Sequence, residues 1–207
     1  MKKVGLFGGT FSPPHVGHRR ALEIFVREEG LSQVLVMPTF IPPHKVRSDM
    51  TGTEDRLAMC RLAFESVPGV VVSDLEIERG GKSYTALTLQ ELQREGERLV
   101  FLCGTDMFLT LDEWYRPDLI FSMADIVCMP RNGDADGVAE LEKKREEYRR
   151  KFHATTRILP YSPLEISSSA IRIGIGNGDP SVREWVAPAV WNYILEKGLY
   201  ASEGLQQ

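Results

Sequence analysis

Two histidines three residues apart are the first side chains in this sequence that suit catalytic chemistry. His15 and His18 follow a glycine turn, Gly8-Gly9-Thr10, and open a segment in which apolar residues recur at helical spacing. Residues at positions i and i+3 of a helix share one face, and a helix start presents free N–H groups and partial positive charge. The pattern therefore predicts a strand, a turn and a helix start that together bind a phosphate group.

The glycines of this stretch are expected to make room for a ligand. Gly8 and Gly9 remove side chains where the backbone must approach a bound group closely. Gly17, between the two histidines, leaves space over the helix start.

Two other interpretations of the histidine pair stay open. The side chains are either incidental to a strand-to-helix turn or ligands of a zinc ion. Zinc takes three or four ligands, and no further Cys or His lies near the pair, since the other histidines are His44 and His153. The glycine spacing is neither a dinucleotide fingerprint nor a Walker A loop, because G-x-G-x-x-G and Gly-Lys-Ser/Thr are both absent.

A second group of phosphate donors lies near the other end of the chain, in the sequence ISSSAIR at residues 166–172. Ser167 or Ser168 suits the cap position of a helix. The same geometry offers hydroxyl and N–H groups to an anion, and Arg172 one turn later is placed to pair with phosphate oxygens. We expect the starts of these two helices to hold one triphosphate between them.

Other polar and aromatic residues follow predicted strands. A proline-rich loop carries His44 and Lys45, and Lys45 is either solvated or bound to a substrate phosphate. Asp106 suits either a helix cap or a hydrogen bond with a ribose hydroxyl. Trp114 is either a core residue or a stacking surface for a planar ring.

Apolar runs that alternate with helical patterns predict the fold. The runs indicate six strands, at Val4–Phe7, Val34–Met37, Val70–Val72, Leu99–Cys103, Asp125–Met129 and Arg157–Leu159. Thr51–Glu54 is typical of a capping box before a helix that runs to about Ser66. The alternation predicts an α/β protein with a doubly wound parallel sheet, in which ligands bind at the carboxyl ends of the strands. No linker or repeat interrupts it, so we expect a single domain over residues 1–207.

The composition argues against several classes of protein. The chain has 207 residues, is 43% hydrophobic and carries a formal net charge of −4. An acidic average disfavours a nucleic-acid surface, and no apolar run approaches membrane-spanning length. Cys60, Cys103 and Cys128 lie in apolar patterns and are expected to be buried free thiols. With no signal-peptide pattern, these features predict a cytoplasmic protein, and a homo-oligomer is compatible with them.

The motifs resemble those of one known family. GGTFSPPHVGH at residues 8–18 resembles the HxGH signature of the nucleotidyltransferase superfamily, in particular the start of bacterial nicotinate-nucleotide adenylyltransferases. Four later segments resemble the same family in the same order: PPHK at 42–45, SYT at 83–85, GTDMFLTLDEW at 104–114 and ISSSAIR at 166–172. The resemblance implies a Rossmann-like sheet of the nucleotidyltransferase type. It also implies the reaction of ATP with nicotinate mononucleotide to give deamido-NAD and pyrophosphate.

The resemblance further implies roles for individual residues. The catalytic contacts to the ATP phosphates would come from His15, His18, Ser168 and Arg172. The other ATP-binding residues would be Gly8, Gly9, Thr10, Phe11, Gly104, Asp106 and Arg131. The nicotinate mononucleotide would lie against His44, Lys45, Thr85, Trp114 and Tyr115. In that arrangement Trp114 stacks on the pyridine ring, backbone N–H groups near Thr85 and Tyr115 meet its carboxylate, and Mg²⁺ is held mainly by the ATP phosphates.

Several alternatives stay open beside this interpretation. Backbone donors with no nearby acid would favour nicotinate over neutral nicotinamide, but nicotinamide mononucleotide or phosphopantetheine is an alternative acceptor. Ser12 and Leu87 stand where the family usually has Asp, which bears on the mononucleotide pocket. A non-catalytic nucleotide-binding regulator is a further alternative, whereas the missing fingerprint disfavours an NAD-dependent oxidoreductase.

Overall fold

A six-stranded parallel sheet forms the centre of the protein. The computed structural model describes residues 2–43, 51–130, 135–160, 164 and 166–201, without the side chains of residues 135 and 136. Within them the strands are β1 (Lys2–Gly9), β2 (Gln33–Pro38), β3 (Val70–Val72), β4 (Glu97–Gly104), β5 (Ala124–Met129) and β6 (Thr156–Ile158). Their order is β3-β2-β1-β4-β5-β6, and every neighbouring pair is parallel. This confirms the predicted doubly wound sheet, because strand order reverses between β1 and β4.

Helices connect the strands and cover the sheet. They are α1 (Val16–Glu29), α2 (Thr53–Phe64), α3 (Leu75–Arg79), α4 (Thr85–Leu92), α5 (Thr105–Leu109), α6 (Pro117–Met123), α7 (Ala135–Phe152), α8 (Ser168–Gly176) and α9 (Pro188–Lys197). Gly30 and Gly198 end α1 and α9 in the left-handed conformation, with φ of 59° and 62°. In the part of the chain that the structure describes, no helix is long and apolar enough to cross a bilayer.

Two hydrophobic clusters lie against the sheet, and alternate residues of a strand belong to different clusters. In β4, Leu99 and Phe101 belong to one cluster, whereas Val100 and Leu102 belong to the other. This alternation is what period-two side-chain geometry requires of a strand buried on both faces. Gly5 in β1 leaves no room for a side chain, because a Cβ there would lie 2.8 Å from Phe25. The packing of α1 on the sheet therefore depends on that glycine.

The predicted capping box at Thr51–Glu54 is wrong. Helix α2 begins at Thr53 with Gly52 at the cap position and no side-chain cap hydrogen bond. Thr51 contacts a different segment: its N–H donates to Oγ of Ser12 over 3.3 Å, and its hydroxyl accepts from the same oxygen over 3.3 Å. A tertiary contact has therefore replaced the local cap that the sequence pattern favoured.

The three cysteines are free and buried, as the apolar patterns predicted. Burial raises the pKa of Cys128 to about 12 and also raises the pKa of Cys60 and of Cys103. These thiols are therefore protonated at neutral pH, and none of them is an activated nucleophile.

Candidate active site

The loop of residues 10–15 joins β1 to α1 and is anchored by a buried aromatic ring. Phe11 is 2% exposed, and its ring packs on Phe7 and Phe64 with centroids 5.4 and 5.7 Å away. A Cβ on Gly9 would lie 2.8 Å from this ring. Gly9 therefore makes room for the ring of Phe11 and not, as predicted, for a ligand. Because this ring is buried, any contact between Phe11 and ATP would involve the backbone of Phe11.

The histidine pair forms the start of α1. His15 is the cap residue, and its N–H donates to Nδ1 of His18 over 3.2 Å. The ring centroids lie 3.6 Å apart, so the two imidazoles share one face of the helix start as predicted. Because Nδ1 of His18 accepts this bond, the neutral ring carries its proton on Nε2 and presents that N–H as a donor. A Cβ on Gly17 would lie 3.0 Å from His15, so the imidazole itself fills the space predicted for a ligand.

The start of α8 contacts the same loop. Ser167 caps α8 by accepting from the N–H of Ala170, which decides between the two predicted cap residues. The hydroxyl of Ser168 donates to the carbonyl of Pro13 over 2.9 Å. Arg172 donates to the carbonyl of Ser12 over 2.9 Å. The structure therefore joins the two predicted phosphate-binding helix starts through residues 12 and 13.

A cluster of hydroxyl groups holds the loop from its other side. Ser12 is 2% exposed, and its Oγ lies 3.2 Å from the phenol oxygen of Tyr200. The hydroxyl of Thr51 is the second partner of Ser12. Ser12 therefore serves as an internal contact between the loop, the segment before α2 and the segment after α9.

Arg56, a residue that the sequence interpretation missed, binds three segments together at this point. Its guanidinium is 0% exposed and donates to carbonyl oxygens of Thr10 at 2.9 Å, Thr39 at 2.6 Å and Thr51 at 3.2 Å. A signal for this was present, because residue 56 shares a helical stripe with buried Cys60. An arginine on an apolar stripe requires buried hydrogen-bond acceptors.

A cavity of about 260 Å³ opens beside the loop, at the point where strand order reverses. It brings together seven of the predicted site residues: Gly8, Gly9, Thr10, Thr85, Asp106, Trp114 and Tyr115. Tyr115 is 51% exposed, and its ring lies 4.6 Å from that of Tyr84. Trp114 packs on the core, with its ring centroid 6.2 Å from that of Phe101, and lines the cavity as well, so both of its predicted roles are compatible with its position.

The other predicted site residues lie elsewhere. His15, His18, Ser168 and Arg172 do not line this cavity but meet at the adjoining loop. Gly104 occupies the cap position of α5 and Asp106 lies in the first turn of that helix, so Asp106 is not the cap residue. His44, Lys45 and Arg131 lie outside the described residues.

The surface helix α7 positions the segment that carries Trp114. The phenol of Tyr148 is 1% exposed and donates to the carbonyl of Phe108 at 2.5 Å, with Oδ1 of Asp112 at 3.2 Å. Lys144 pairs with the same carboxylate at 2.9 Å. Burial raises the pKa of Asp112, but the hydrogen bond and charge of Lys144 outweigh it and leave that pKa lowered. Sequence alone assigned no role to this helix.

Besides the predicted Asp106, a second acidic side chain lines the cavity. Glu76 is 6% exposed, and its Oε1 accepts from the Thr88 hydroxyl at 2.7 Å. Burial raises the pKa of Glu76, while the hydroxyls of Thr88 and Ser83 and the charge of Arg79 oppose the rise. Among the described residues, Oε2 of Glu76 is a buried oxygen without a hydrogen bond of acceptable geometry.

The donors that meet at the loop suit phosphate oxygens. They are imidazole, hydroxyl and guanidinium groups, which pair with anions, at two helix starts. The described ranges contain no group of three or more His, Cys, Asp or Glu side chains that could hold a metal ion. The zinc interpretation of His15 and His18 therefore has no supporting ligand in the part of the chain that is described.

Comparison with known proteins shows the family of this chain. Residues 6–173 match the cytidylyltransferase-like family. A relative from Trichlorobacter lovleyi is 36% identical over 211 residues, covering 96% of this chain and 99% of the relative. Another from Desulfatibacillum aliphaticivorans is 34% identical over 216 residues, with the same shares, and both are named as nicotinate-nucleotide adenylyltransferases. The chain belongs to the nicotinate-nucleotide adenylyltransferase family. The resemblance predicted from the sequence motifs is thereby confirmed.

Solved structures agree on the fold of this adenylyltransferase family. The Plasmodium falciparum nicotinic acid mononucleotide adenylyltransferase complexed with NaAD matches with a TM-score of 0.74 at 16% identity, covering 97% of this chain and 98% of that chain. The same enzyme complexed with APC matches with a TM-score of 0.72 at 17% identity and the same shares. This likeness confirms the predicted α/β sheet of the nucleotidyltransferase type.

Proposed function

We propose that this chain transfers the adenylyl group of ATP to nicotinate mononucleotide and so forms deamido-NAD and pyrophosphate. One observation carries the proposal: the starts of α1 and α8 meet through Ser12 and Pro13, beside a cavity with an aromatic wall. Membership of the adenylyltransferase family supports it.

The reaction requires charge neutralisation more than proton transfer. The 5′-phosphate of the mononucleotide, with a second pKa of about 6, is largely ionised at neutral pH and needs no general base. Its oxygen forms a bond to the α-phosphorus of ATP, while the bond from that phosphorus to the bridging oxygen breaks and pyrophosphate leaves. His15, His18, Ser168 and Arg172 would align the phosphates and stabilise the charge of the transferring group.

The two nucleotides would bind next to each other beside the loop, because residues proposed for each of them line the same cavity. The pyridine ring would stack on Trp114, and backbone N–H groups near Thr85 and Tyr115 would meet its carboxylate. The adenosine would lie near Gly104 and Asp106. Family resemblance adds Arg131 to the adenosine side and His44 and Lys45 to the mononucleotide side, as proposals outside the described residues.

Mg²⁺ is proposed to enter with the ATP phosphates. This ion keeps several of its waters and uses few protein ligands. When bound, it would neutralise charge on the leaving pyrophosphate. The donor set at the loop consists of anion-binding groups and fits a phosphate-held ion.

We also propose a single domain over residues 1–207 and a cytoplasmic location.

A comparison of acceptors tests the proposed function. Pyrophosphate release is measured with ATP and Mg²⁺ and, in parallel, nicotinate mononucleotide, nicotinamide mononucleotide or phosphopantetheine. We expect nicotinate mononucleotide to give the highest kcat/KM. A higher value with another acceptor would transfer the assignment to that acceptor, and no release with any of them would favour a non-catalytic regulator.

Removing the Tyr148 hydroxyl tests how α7 positions the cavity wall. We expect Tyr148→Phe to raise KM for nicotinate mononucleotide about fivefold, since one hydrogen bond contributes about 1 kcal/mol. KM for ATP should rise less, because Tyr148 contacts the helix that carries Asp106 but the phosphate-binding loop of residues 10–15 is held by Ser168 and Arg172.

Arg149→Ala on the exposed face of the same helix is the matched control, because Arg149 pairs with the neighbouring Glu146. It should leave both KM values unchanged. If Tyr148→Phe raised both KM values equally, α7 would have no selective effect on the mononucleotide side.

A further inference from the structure

Glu76 is a buried acidic residue at the wall of the cavity. Its carboxylate is 6% exposed, it lines the cavity, and one of its oxygens has no hydrogen bond of acceptable geometry in the described part of the chain. A buried acceptor left without a donor destabilises the fold, so such groups call for an explanation. The mechanism proposed above does not use Glu76.

The other oxygen of this carboxylate, Oε1, is fixed in place by its neighbours. Arg79 donates to the Thr88 hydroxyl over 3.0 Å, and that hydroxyl donates to Oε1 of Glu76 over 2.7 Å. The guanidinium also lies 4.0 Å from Oε1. The hydroxyl of Ser83 is a further hydrogen-bonding neighbour of the same carboxylate. Because each carboxylate oxygen can accept more than one hydrogen bond, Oε2 still offers an acceptor to a molecule in the cavity.

The ligand group that suits Oε2 must carry an O–H or N–H donor. At neutral pH the carboxylate and the phosphate of nicotinate mononucleotide are hydrogen-bond acceptors. Its ribose hydroxyls are its only O–H or N–H donors. A second carboxylate facing Glu76 would be repelled, which directs the pyridine carboxylate elsewhere.

We propose that Oε2 of Glu76 accepts a hydrogen bond from a ribose hydroxyl of the mononucleotide held in the cavity. This inference rests on the proposed function, because the donor is identified from that substrate. It assigns Glu76 a role in recognising the sugar, whereas Trp114 recognises the ring.

Substrate analogues and one substitution test this contact. Dissociation constants are measured by calorimetry for nicotinate mononucleotide and for its 2′-deoxy and 3′-deoxy forms. With the unaltered protein, we expect one deoxy form to bind about ten- to one hundred-fold more weakly, as for loss of a hydrogen bond to a charged group.

In the Glu76→Gln protein the amide oxygen faces Thr88, whose hydroxyl donates, so the amide nitrogen faces the cavity. The hydroxyl oxygen can still accept from that amide nitrogen, but a hydrogen bond between neutral groups is weaker than one to a carboxylate. The loss of affinity of the same deoxy form should therefore fall below about tenfold. The control Glu78→Gln makes the same change at an exposed residue of the same helix that does not line the cavity, so the large difference between the parent and the deoxy form should remain.

The outcomes separate this inference from the proposed function. Equal binding of all three compounds by the unaltered protein would overturn the role of Glu76 and leave the proposed function in place. The role of Glu76 would also be overturned if Glu76→Gln left the ratio of the dissociation constants of the deoxy form and the parent compound unchanged. The same holds if the substitution changed only the preference between nicotinate and nicotinamide. No binding of nicotinate mononucleotide with or without ATP would overturn both. Because the analogue series uses the unaltered protein, it decides the question even if the variant does not fold.

Discussion

Replacing His18 with alanine is expected to lower kcat about 100- to 1000-fold, which is the usual effect of losing one donor to transition-state charge. Nε2 of His18 is the donor in question, because Nδ1 already accepts from the N–H of His15 over 3.2 Å. The variant also loses that capping contact, so we expect the free energy of unfolding to fall by about 1 kcal/mol. Steady-state pyrophosphate release gives kcat, and urea denaturation gives the free energy of unfolding.

His153 supplies the matched control for His18. It is an exposed histidine just after α7, with a φ of 52°, a conformation that asparagine tolerates. His153→Asn should leave kcat and KM unchanged. Turnover of His18→Ala at the level of this control would remove His18 from the proposed mechanism.

Replacing Arg56 with methionine is expected to lower the free energy of unfolding by about 3–5 kcal/mol. The substitution leaves the carbonyls of Thr10, Thr39 and Thr51 without their guanidinium donor, and each buried unsatisfied acceptor costs about 1–3 kcal/mol. These carbonyls lie in the segments that surround the candidate site. Chemical denaturation with an unchanged m-value would measure the loss.

Arg61 on the same helix gives the comparison for Arg56. Its side chain is 53% exposed and pairs with Asp74 at 3.3 Å. Arg61→Met should change the free energy of unfolding by no more than about 0.5 kcal/mol. Equal effects of the two substitutions would show that the buried hydrogen bonds of Arg56 contribute nothing beyond those of a surface arginine.

Local patterns predicted the six strands and the starts of α1 and α8. Val70–Val72 is a strand with the predicted bounds, and the other strands differ by a few residues at their ends. Period-two burial and the alternation with helices carry this information, because each depends on residues close together in the chain. The ISSSAIR segment begins a helix for the same reason, with Ser167 as its cap.

Contacts between distant segments explain what the sequence could not predict. Thr51 has the pattern of a helix cap but contacts Ser12, which is 39 residues earlier. No motif of the sequence points to Glu76, which lines the cavity in the folded chain. Tyr148 contacts Asp112 across 36 residues, and no local periodicity reports such a pair. These residues surround the candidate site, so pattern reasoning predicted where the two helices begin and missed the contacts that support them.

The bonds at Ser12 also bear on when the protein becomes competent during its synthesis. Its carbonyl binds Arg172, 160 residues later, and its hydroxyl meets Tyr200, 188 residues later. A nascent chain that still lacks α8 cannot complete the loop, although the glycine turn and both histidines are made before that helix. We therefore expect substrate binding to arise only after α8 and the segment that follows α9 have been synthesised.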